Sequence, residues 1–279
     1  MAEVRTLTRD ALWEAGAAIL APTGLPEPRR EAVRIGRELE PGTAAIDPRA
    51  MVDPVFAARY LAAVRRRAAG EPLAHVTGWT GFRHLTLASD RRALIPRPET
   101  EGLVELALAR CRTGVAADIG TGTGAIALSL AHEGAFTEVI GTDLSPDALA
   151  LARENAARTG LAVTWLEGDL LAPLAGRSVD LLVSNPPYLT EAEHAELDRS
   201  VRNWEPALAL LGGADGLAAY RRLFAGAPEV VVPGGWLVLE GDARRARETA
   251  DLAGPAWRDV AILDDLFGRA RYLVARRET

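Results

Sequence analysis

Cysteine and long apolar runs are the two features that this sequence most conspicuously lacks. Cys111 is the only cysteine among 279 residues, so the chain can form neither an internal disulfide nor a cysteine-rich metal site. No run of about 18 apolar residues indicates a membrane-spanning helix, and the N-terminal segment lacks the apolar core of a secretory signal. These absences predict a cytoplasmic protein with no metal site and no membrane association.

Lysine is missing as well, so every strong base in the chain is an arginine. The formal net charge is −6 at pH 7, whereas proteins that bind nucleic acids non-specifically usually carry a basic excess. The densest basic clusters, Arg65–Arg67 and Arg91–Arg92, are interpreted as solvated surfaces. Direct nucleic-acid binding is therefore not expected.

Residues 1–72 are predicted to form a small helical domain. Apolar residues recur at helical spacing after Thr8, which is a candidate N-cap, and again in Glu31–Leu39 and Pro54–Ala69. No group of catalytic residues stands out in this region. A helical module of this kind is expected to recognise a partner or to cover a site.

Residues 73–97 are predicted to be a β-hairpin connector. Its two expected strands are His75–Trp79 and Phe82–Leu87, which alternate in polarity and are rich in β-formers. Gly78 and Gly81 are the expected turn residues.

Residues 98–279 follow a different pattern, in which apolar strands alternate with helices. Such alternation predicts a mainly parallel α/β sheet with helices on both faces, closed by an antiparallel pair. The expected helices are Glu101–Arg110, Ala125–His132, Pro146–Thr159 and Leu217–Ala227. The expected strands are Val115–Ile119, Glu138–Thr142, Val163–Leu166, Val179–Val183 and Gly235–Glu240, with two more near 258–262 and 270–275.

A glycine-rich turn follows the first of these strands and opens the next helix. Glycines permit a tight turn and a close approach of the backbone to a ligand at the carboxyl edge of a sheet. The spacing Gly-x-Gly-x-Gly differs from the Gly-x-Gly-x-x-Gly of dinucleotide sites, and Asp118 before it suits a cationic ligand group. The residues predicted to bind a cofactor here are Gly120, Thr121, Gly122, Thr123 and Gly124.

Two further acids end the next two strands. Asp143 can accept hydrogen bonds from the hydroxyls of a ribose. Asp169 can accept one from an adenine amino group, with Leu170 packing on the ring. A glycine loop, a ribose acid and an adenine acid, taken in this order, predict a site for S-adenosylmethionine.

Asn185-Pro186-Pro187-Tyr188 follows the fourth strand and is predicted to be the methyl-transfer site. A planar NH₂ group is a poor nucleophile, so catalysis here means holding and orienting the nitrogen. The Asn185 side-chain oxygen and the Pro186 carbonyl can each accept one N–H, and these bonds strengthen as the nitrogen becomes positive. The prolines stiffen the loop, and Tyr188 offers a flat surface for stacking.

From Gly70 onward the sequence resembles the PrmC (HemK) family of peptide chain release factor glutamine methyltransferases. The Asn-Pro-Pro-Tyr motif alone is shared with adenine-N6 methyltransferases, and other stretches are more particular to the family. The matching stretches are Gly70–Gly78, Leu94–Glu101, Asp118–Ala125, Asn185–Tyr188, Glu205–Leu208 and Gly212–Gly216.

The resemblance implies a class I S-adenosylmethionine-dependent fold, Rossmann-like with a seven-stranded sheet. It also implies methylation of the glutamine side chain in the Gly-Gly-Gln motif of class 1 release factors, which would dock on the N-terminal module. Gly120–Gly124, Asp143 and Asn185 would then bind the cofactor, and Asn185, Pro186, Pro187 and Tyr188 would bind the glutamine. Three alternatives stay open: a glutamine of a ribosomal protein, adenine-N6 of DNA or RNA, and cofactor binding without catalysis.

Overall fold

Two structural units make up the part of the chain that the computed structural model describes, residues 7–40 and 47–279. One unit extends to Trp79 and includes Arg199–Trp204, and the other comprises Thr80–Asp198 and Glu205–Thr279. The predicted helical domain begins in residues 1–6, which, like residues 41–46, lie outside the described part. The predicted boundaries at residues 72 and 97 stay predictions.

The helices and strands are numbered in chain order. The helices are α1 (Arg9–Leu20), α2 (Pro28–Leu39), α3 (Pro54–Ala68), α4 (Leu73–Thr77), α5 (Pro98–Arg110), α6 (Ala125–Glu133), α7 (Pro146–Thr159), α8 (Glu191–Glu196), α9 (Arg199–Arg202), α10 (Ala218–Val230) and α11 (Ala246–Asp251). The strands are β1 (Trp79–Phe82), β2 (Leu85–Ala88), β3 (Thr113–Ile119), β4 (Ala135–Asp143), β5 (Thr164–Glu167), β6 (Val179–Ser184), β7 (Val231–Glu240), β8 (Trp257–Asp264) and β9 (Ala270–Arg277).

The first unit contains the predicted helices. The Thr8 hydroxyl caps α1 by accepting a hydrogen bond from the Ala11 N–H, as the sequence predicts. Helices α2 and α3 confirm the two expected helical stretches. Tyr60 of α3 is fully buried, and its hydroxyl donates a hydrogen bond to the Ala32 carbonyl of α2 at 3.1 Å. Apolar packing and this buried hydrogen bond therefore hold the two helices together.

The β-hairpin exists, but its predicted position is wrong. Of the residues expected to form its first strand, His75–Thr77 instead lie in α4, because Pro72 starts a helical turn that Gly78 ends with a left-handed φ of 83°. Trp79 begins β1. The hairpin pairs β1 with β2 and turns at Arg83, whose φ is 50°. The Arg83 guanidinium is held by Glu133 at 2.6 Å, which compensates for the unfavourable backbone conformation at the turn.

The second unit is built on one seven-stranded sheet in the order β5-β4-β3-β6-β7-β9-β8. Strands β3 to β7 pair in parallel, and β9 pairs antiparallel with both β7 and β8. The predicted mainly parallel sheet with an antiparallel closing pair is confirmed. Its order reverses beside β3, which is where open α/β sheets bind their ligands.

Both faces of the sheet are buried under helices. Alternate residues of one strand point to opposite faces, so Leu181 and Val183 pack under α5 and α6, whereas Leu182 packs under α10. In β6 the centre, Leu181–Val183, is apolar, and the polar residues Asp180 and Ser184 lie towards the ends of the strand. Among residues 7–40 and 47–279, no helix has both the length and the apolar character needed to cross a membrane.

Candidate active site

A cavity of about 360 Å³ opens at the carboxyl edge of the parallel strands. Loops that follow β3, β4, β5 and β6 form its walls, together with the segments before α5 and α10. Seven of the predicted site residues line it: Gly120, Gly122, Asp143, Asp169, Leu170, Asn185 and Pro187. The other five, Thr121, Thr123, Gly124, Pro186 and Tyr188, do not line it.

The glycine loop presents its backbone to the cavity. Gly120 has a φ of 72°, and a Cβ placed there would meet no atom within 4 Å, so this position faces open space. Glycine is favoured at position 124 for a different reason, because a Cβ placed there would lie 3.0 Å from the Trp165 ring. Thr121 and Thr123 are buried, so their side chains support the loop from behind.

Asp118 anchors this loop from inside the protein. Its carboxylate is fully buried, and its Oδ2 accepts hydrogen bonds from the Thr121 hydroxyl at 2.5 Å and from the Ala127 N–H at 3.1 Å. Its Oδ1 has no partner among the described residues. Burial therefore raises the pKa of Asp118 to about 7, against the two hydrogen bonds, which lower it.

Asp143 connects the ends of two strands. Its Oδ2 accepts the Gly122 N–H and its Oδ1 accepts the Ser145 N–H, both at 2.9 Å. The Ser145 hydroxyl caps α7, as the sequence predicts. Burial raises the pKa of Asp143, although these N–H groups oppose the shift. Each carboxylate oxygen retains a second lone pair that a ligand hydroxyl can use.

Asp169 and Leu170 lie on the same wall as Asp143. The Asp169 carboxylate forms a two-pronged ion pair with Arg222, at 3.0 and 2.8 Å, so the predicted acceptor already has a cationic partner. Leu170 has a left-handed φ of 49°, a conformation that branched side chains adopt only when the surroundings hold them. The Arg222 contact was not evident from sequence because Asp169 and Arg222 are 53 residues apart.

Asn185 is held by a residue that precedes the glycine loop in the chain. Its Nδ2 donates a hydrogen bond to the Thr100 hydroxyl oxygen at 3.1 Å. Thr100 lies in the first turn of α5 and is only 4% exposed. The NH₂ end of the Asn185 amide is thus directed towards α5, and its Oδ1 is left for other partners.

Pro186 is buried, whereas Tyr188 is partly buried and packs on the apolar face beneath α10. Burial raises the pKa of Tyr188 to about 12, with a further contribution from the Glu240 carboxylate. The tyrosine therefore stays neutral at physiological pH and supplies an aromatic surface.

The stretch Gly212–Gly216 braces the loop Asn185–Tyr188. Leu189 and Leu211 form an isolated parallel bridge, and the Gly212 N–H donates to the Leu189 carbonyl at 2.8 Å. A Cβ on Gly216 would lie 2.3 Å from the Tyr188 carbonyl oxygen. Glycine is required here because two backbones come into direct contact.

An ion pair joins the two stretches that flank the site. Glu205 is 5% exposed, and its Oε1 accepts from Arg97 at 2.6 Å while its Oε2 accepts the Ile95 N–H at 2.9 Å. Both carboxylate oxygens are thereby satisfied, which a buried acid requires. This pair ties the segment before α5 to the segment after α9.

Sequence reasoning missed three polar residues around the site: Thr100, Glu205 and Glu240. All three are buried. Thr100 and Glu205 lie in stretches that match the family, but no role is assigned to them individually, and Glu240 reads as the end of an apolar strand. The signal that was available is a lone acid at the end of an apolar strand, as at Glu240. Within the described ranges, no cluster of His, Cys, Asp and Glu could hold a metal ion.

Comparison with known proteins gives the same picture. Residues 99–203 match the family model "Methyltransferase small domain", and residues 11–78 match "PrmC N-terminal domain". The release factor glutamine methyltransferase of Moorella thermoacetica is 45% identical over 97% of this chain and 99% of its own length. That of Deinococcus radiodurans is 48% identical over 81% of this chain and 82% of its own length. The chain belongs to the release factor glutamine methyltransferase family.

The fold agrees with this assignment. A crystal structure of a methyltransferase from Pyrococcus furiosus superposes with a TM-score of 0.55 at 18% identity, over 70% of this chain and 90% of that one. The predicted class I methyltransferase fold is confirmed, and so are the predicted enzyme class and cofactor. This member of the family is an enzyme that uses S-adenosylmethionine.

Replacing Asp118 by Asn should flatten the pH dependence of stability. Because the folded protein holds the Asp118 proton more tightly than the unfolded chain, this residue's contribution to stability is fully present below about pH 4 and is lost as the pH rises through about 7. Urea unfolding of the cofactor-free protein between pH 5 and pH 8 measures this. Asp251→Asn, at the exposed end of α11, is the control and should keep the wild-type slope. Parallel curves for Asp118→Asn and wild type would contradict the assignment.

Replacing Gly216 by Ala should slow methyl transfer by roughly 10²-fold if the loop Asn185–Tyr188 orients the acceptor, because a displacement of about 1 Å in that loop is then costly. Gly160→Ala is a matched control: its φ of 70° resembles the 74° of Gly216, but its Cβ would meet nothing within 4 Å. Both variants should lose stability from the left-handed backbone conformation, and Gly216→Ala should lose more because its Cβ also meets the Tyr188 carbonyl oxygen. Equal turnover in the two would show that the contact with Tyr188 does not matter.

Proposed function

We propose that this enzyme transfers a methyl group to the side-chain amide nitrogen of the glutamine in the Gly-Gly-Gln motif of class 1 peptide chain release factors. The observation that carries the proposal is the position of Asn185 on the cavity wall, with its amide NH₂ turned away and its Oδ1 left to accept. Relatives that bear the release factor name and align over nearly the whole chain support it.

The residues of the cavity fit S-adenosylmethionine. When bound, this cofactor supplies an electrophilic methyl group on a sulfonium centre. Gly120 and Gly122 offer backbone without a side chain in the way, and Asp143 has lone pairs for ribose hydroxyls. We assign the adenine to Leu170 and Asp169, whose carboxylate would share its lone pairs between Arg222 and the amino group.

Asn185 and Pro186 are proposed to orient the substrate nitrogen. The Oδ1 of Asn185 and the carbonyl of Pro186 would each accept one N–H of the glutamine amide, which turns the nitrogen lone pair towards the methyl group. Both hydrogen bonds strengthen as positive charge develops on that nitrogen, so they favour the transition state over the ground state. No strong base is needed, because the proton can leave after transfer.

Pro187 and Tyr188 are proposed to bind the planar amide and its chain. Pro187 lines the cavity, and the neutral Tyr188 ring is partly accessible, so the two could form the apolar surface against which the glutamine packs. The N-terminal helical unit is proposed to dock the release factor, in the cytoplasm where translation ends.

A parallel labelling experiment tests the substrate. Enzyme and labelled cofactor are incubated with release factor, with the same protein carrying Gln→Glu in its Gly-Gly-Gln motif, with ribosomal proteins and with DNA. We expect label on the wild-type release factor alone. Label that survives the glutamine change moves the site, and label on a ribosomal protein or on DNA alone replaces the proposed substrate with that one.

Changing Asn185 to Ala should reduce turnover by roughly 10²-fold or more, because a transition-state hydrogen bond is lost. Cofactor affinity, measured by calorimetry, should change far less, since most proposed cofactor contacts lie on β3, β4 and β5. Asp251→Ala, at the exposed end of α11, is the control and should behave as wild type. Near-normal turnover of Asn185→Ala would remove Asn185 from the catalytic role.

A further inference from the structure

The two ends of the Asn185 amide differ in what they can do for the substrate. Oδ1 accepts hydrogen bonds, whereas Nδ2 can only donate them. A substrate NH₂ also donates, so an Asn185 amide turned by 180° would bring two donors together. The direction in which this amide points therefore decides whether the site works.

Thr100 contacts the donating end. The Nδ2 of Asn185 lies 3.1 Å from the Thr100 hydroxyl oxygen, which accepts the bond. A hydroxyl has one hydrogen, and it can donate that hydrogen to only one partner. If the hydrogen of Thr100 is committed elsewhere, its lone pairs must face Asn185, and Asn185 must present Nδ2.

Glu240 is the acceptor placed to take that hydrogen. Its carboxylate stands at the end of β7 and is 2% exposed, and the Thr100 side chain lies close enough to lower the pKa of that carboxyl. An ionised carboxylate only accepts, so this contact has one permitted direction. From Asn185 to Thr100 and from Thr100 to Glu240, each hydrogen bond is thus donated in the direction away from the cavity.

We propose that Thr100 and Glu240 are positioning residues, which fix the Asn185 amide with Oδ1 towards the methyl acceptor. The inference rests on the proposed function, because it assigns the group that holds the proposed catalytic residue in register. Neither residue lines the cavity, so each acts through Asn185 and not by touching the substrate.

The charge on Glu240 controls the direction in which the hydrogen bonds between Asn185, Thr100 and Glu240 are donated. Burial raises the pKa of Glu240 to about 7, and the Thr100 hydroxyl opposes the shift. Its Oε2 is buried and has no partner among the described residues, so a proton there would be well sheltered. The titratable and charged groups that face Glu240 are Arg271 and Tyr272 on β9, Arg97 and Glu99 at the start of α5, Tyr188 after β6, Tyr220 on α10, and Asp242 after β7.

A protonated Glu240 can donate to Thr100, which frees the Thr100 hydrogen for the Oδ1 of Asn185. The amide would then turn over, and the substrate NH₂ would lose its acceptor. Protonation is favoured as the pH falls through about 7, so turnover should decrease there on the acidic side.

The test compares Thr100→Val, which removes the hydroxyl and keeps the shape, with Thr100→Ser, which keeps the hydroxyl. Thr100→Val should lower kcat by roughly 10-fold or more and leave the KM for the cofactor within about 2-fold, whereas Thr100→Ser should recover most of the rate. Thr100→Val should also lose the acidic limb of the pH profile. Ser129→Ala removes a buried hydroxyl of α6 that has no hydrogen-bond partner within residues 7–40 and 47–279, and this control should match wild type.

A second measurement does not depend on turnover. In the NMR spectrum of the folded enzyme, the chemical shifts of the Asn185 side-chain amide should change with pH. The midpoint of that change should match the titration midpoint that the Glu240 carboxyl carbon reports. In Thr100→Val that coupling should vanish, while Glu240 itself still titrates. Uncoupled titration in the wild type, or wild-type kcat and pH profile in Thr100→Val, overturns the inference. A wild-type enzyme that leaves the release factor unlabelled overturns the proposed substrate instead. The NMR titration then tests independently whether Thr100 and Glu240 position the Asn185 amide.

Discussion

Parallel pairing of β3, β4, β5 and β6 is the constraint on which the site depends. The central strands β3 and β6 are largely buried, so their polar side chains lie mostly near the strand ends, and parallel pairing brings the carboxyl ends of all four strands to one edge. The glycine loop, Asp143, Asp169 and Asn185 are therefore neighbours, although 65 residues separate the first from the last. The same geometry gives the proposed cofactor site and the proposed methyl-transfer site one shared cavity.

Buried polar contacts then give this edge its precision. Asp118 holds the glycine loop from within, Glu205 joins the segments on either side of the site, and Gly216 lets the backbone of Tyr188 approach. The hydrogen bonds of Asp118 Oδ2 and of both Glu205 oxygens satisfy groups that burial would otherwise penalise. A loop held in this way can orient a weak nucleophile without a strong base, because the work of alignment is done before the substrate arrives.

The sequence predicts the sheet, most of its helices and the four strand-end sites, because periodicity and glycine spacing are local signals. It misplaces the first strand of the hairpin, since His75–Trp79 alternates in polarity and Pro72 nevertheless starts a helix there. It also misses Thr100, Glu205 and Glu240, whose importance comes from partners far along the chain. The Asp169–Arg222 pair is hidden for the same reason. Long-range hydrogen bonds leave no periodic trace in a sequence, so the residues that position the site were the least predictable part.

A crystal structure of the enzyme with S-adenosylhomocysteine and a peptide containing Gly-Gly-Gln tests the central claim most directly. The account predicts that the glutamine NH₂ lies within hydrogen-bond distance of Asn185 Oδ1 and the Pro186 carbonyl, with Asn185 Nδ2 still on Thr100. A glutamine bound elsewhere, or one that meets the NH₂ end of Asn185, would contradict it.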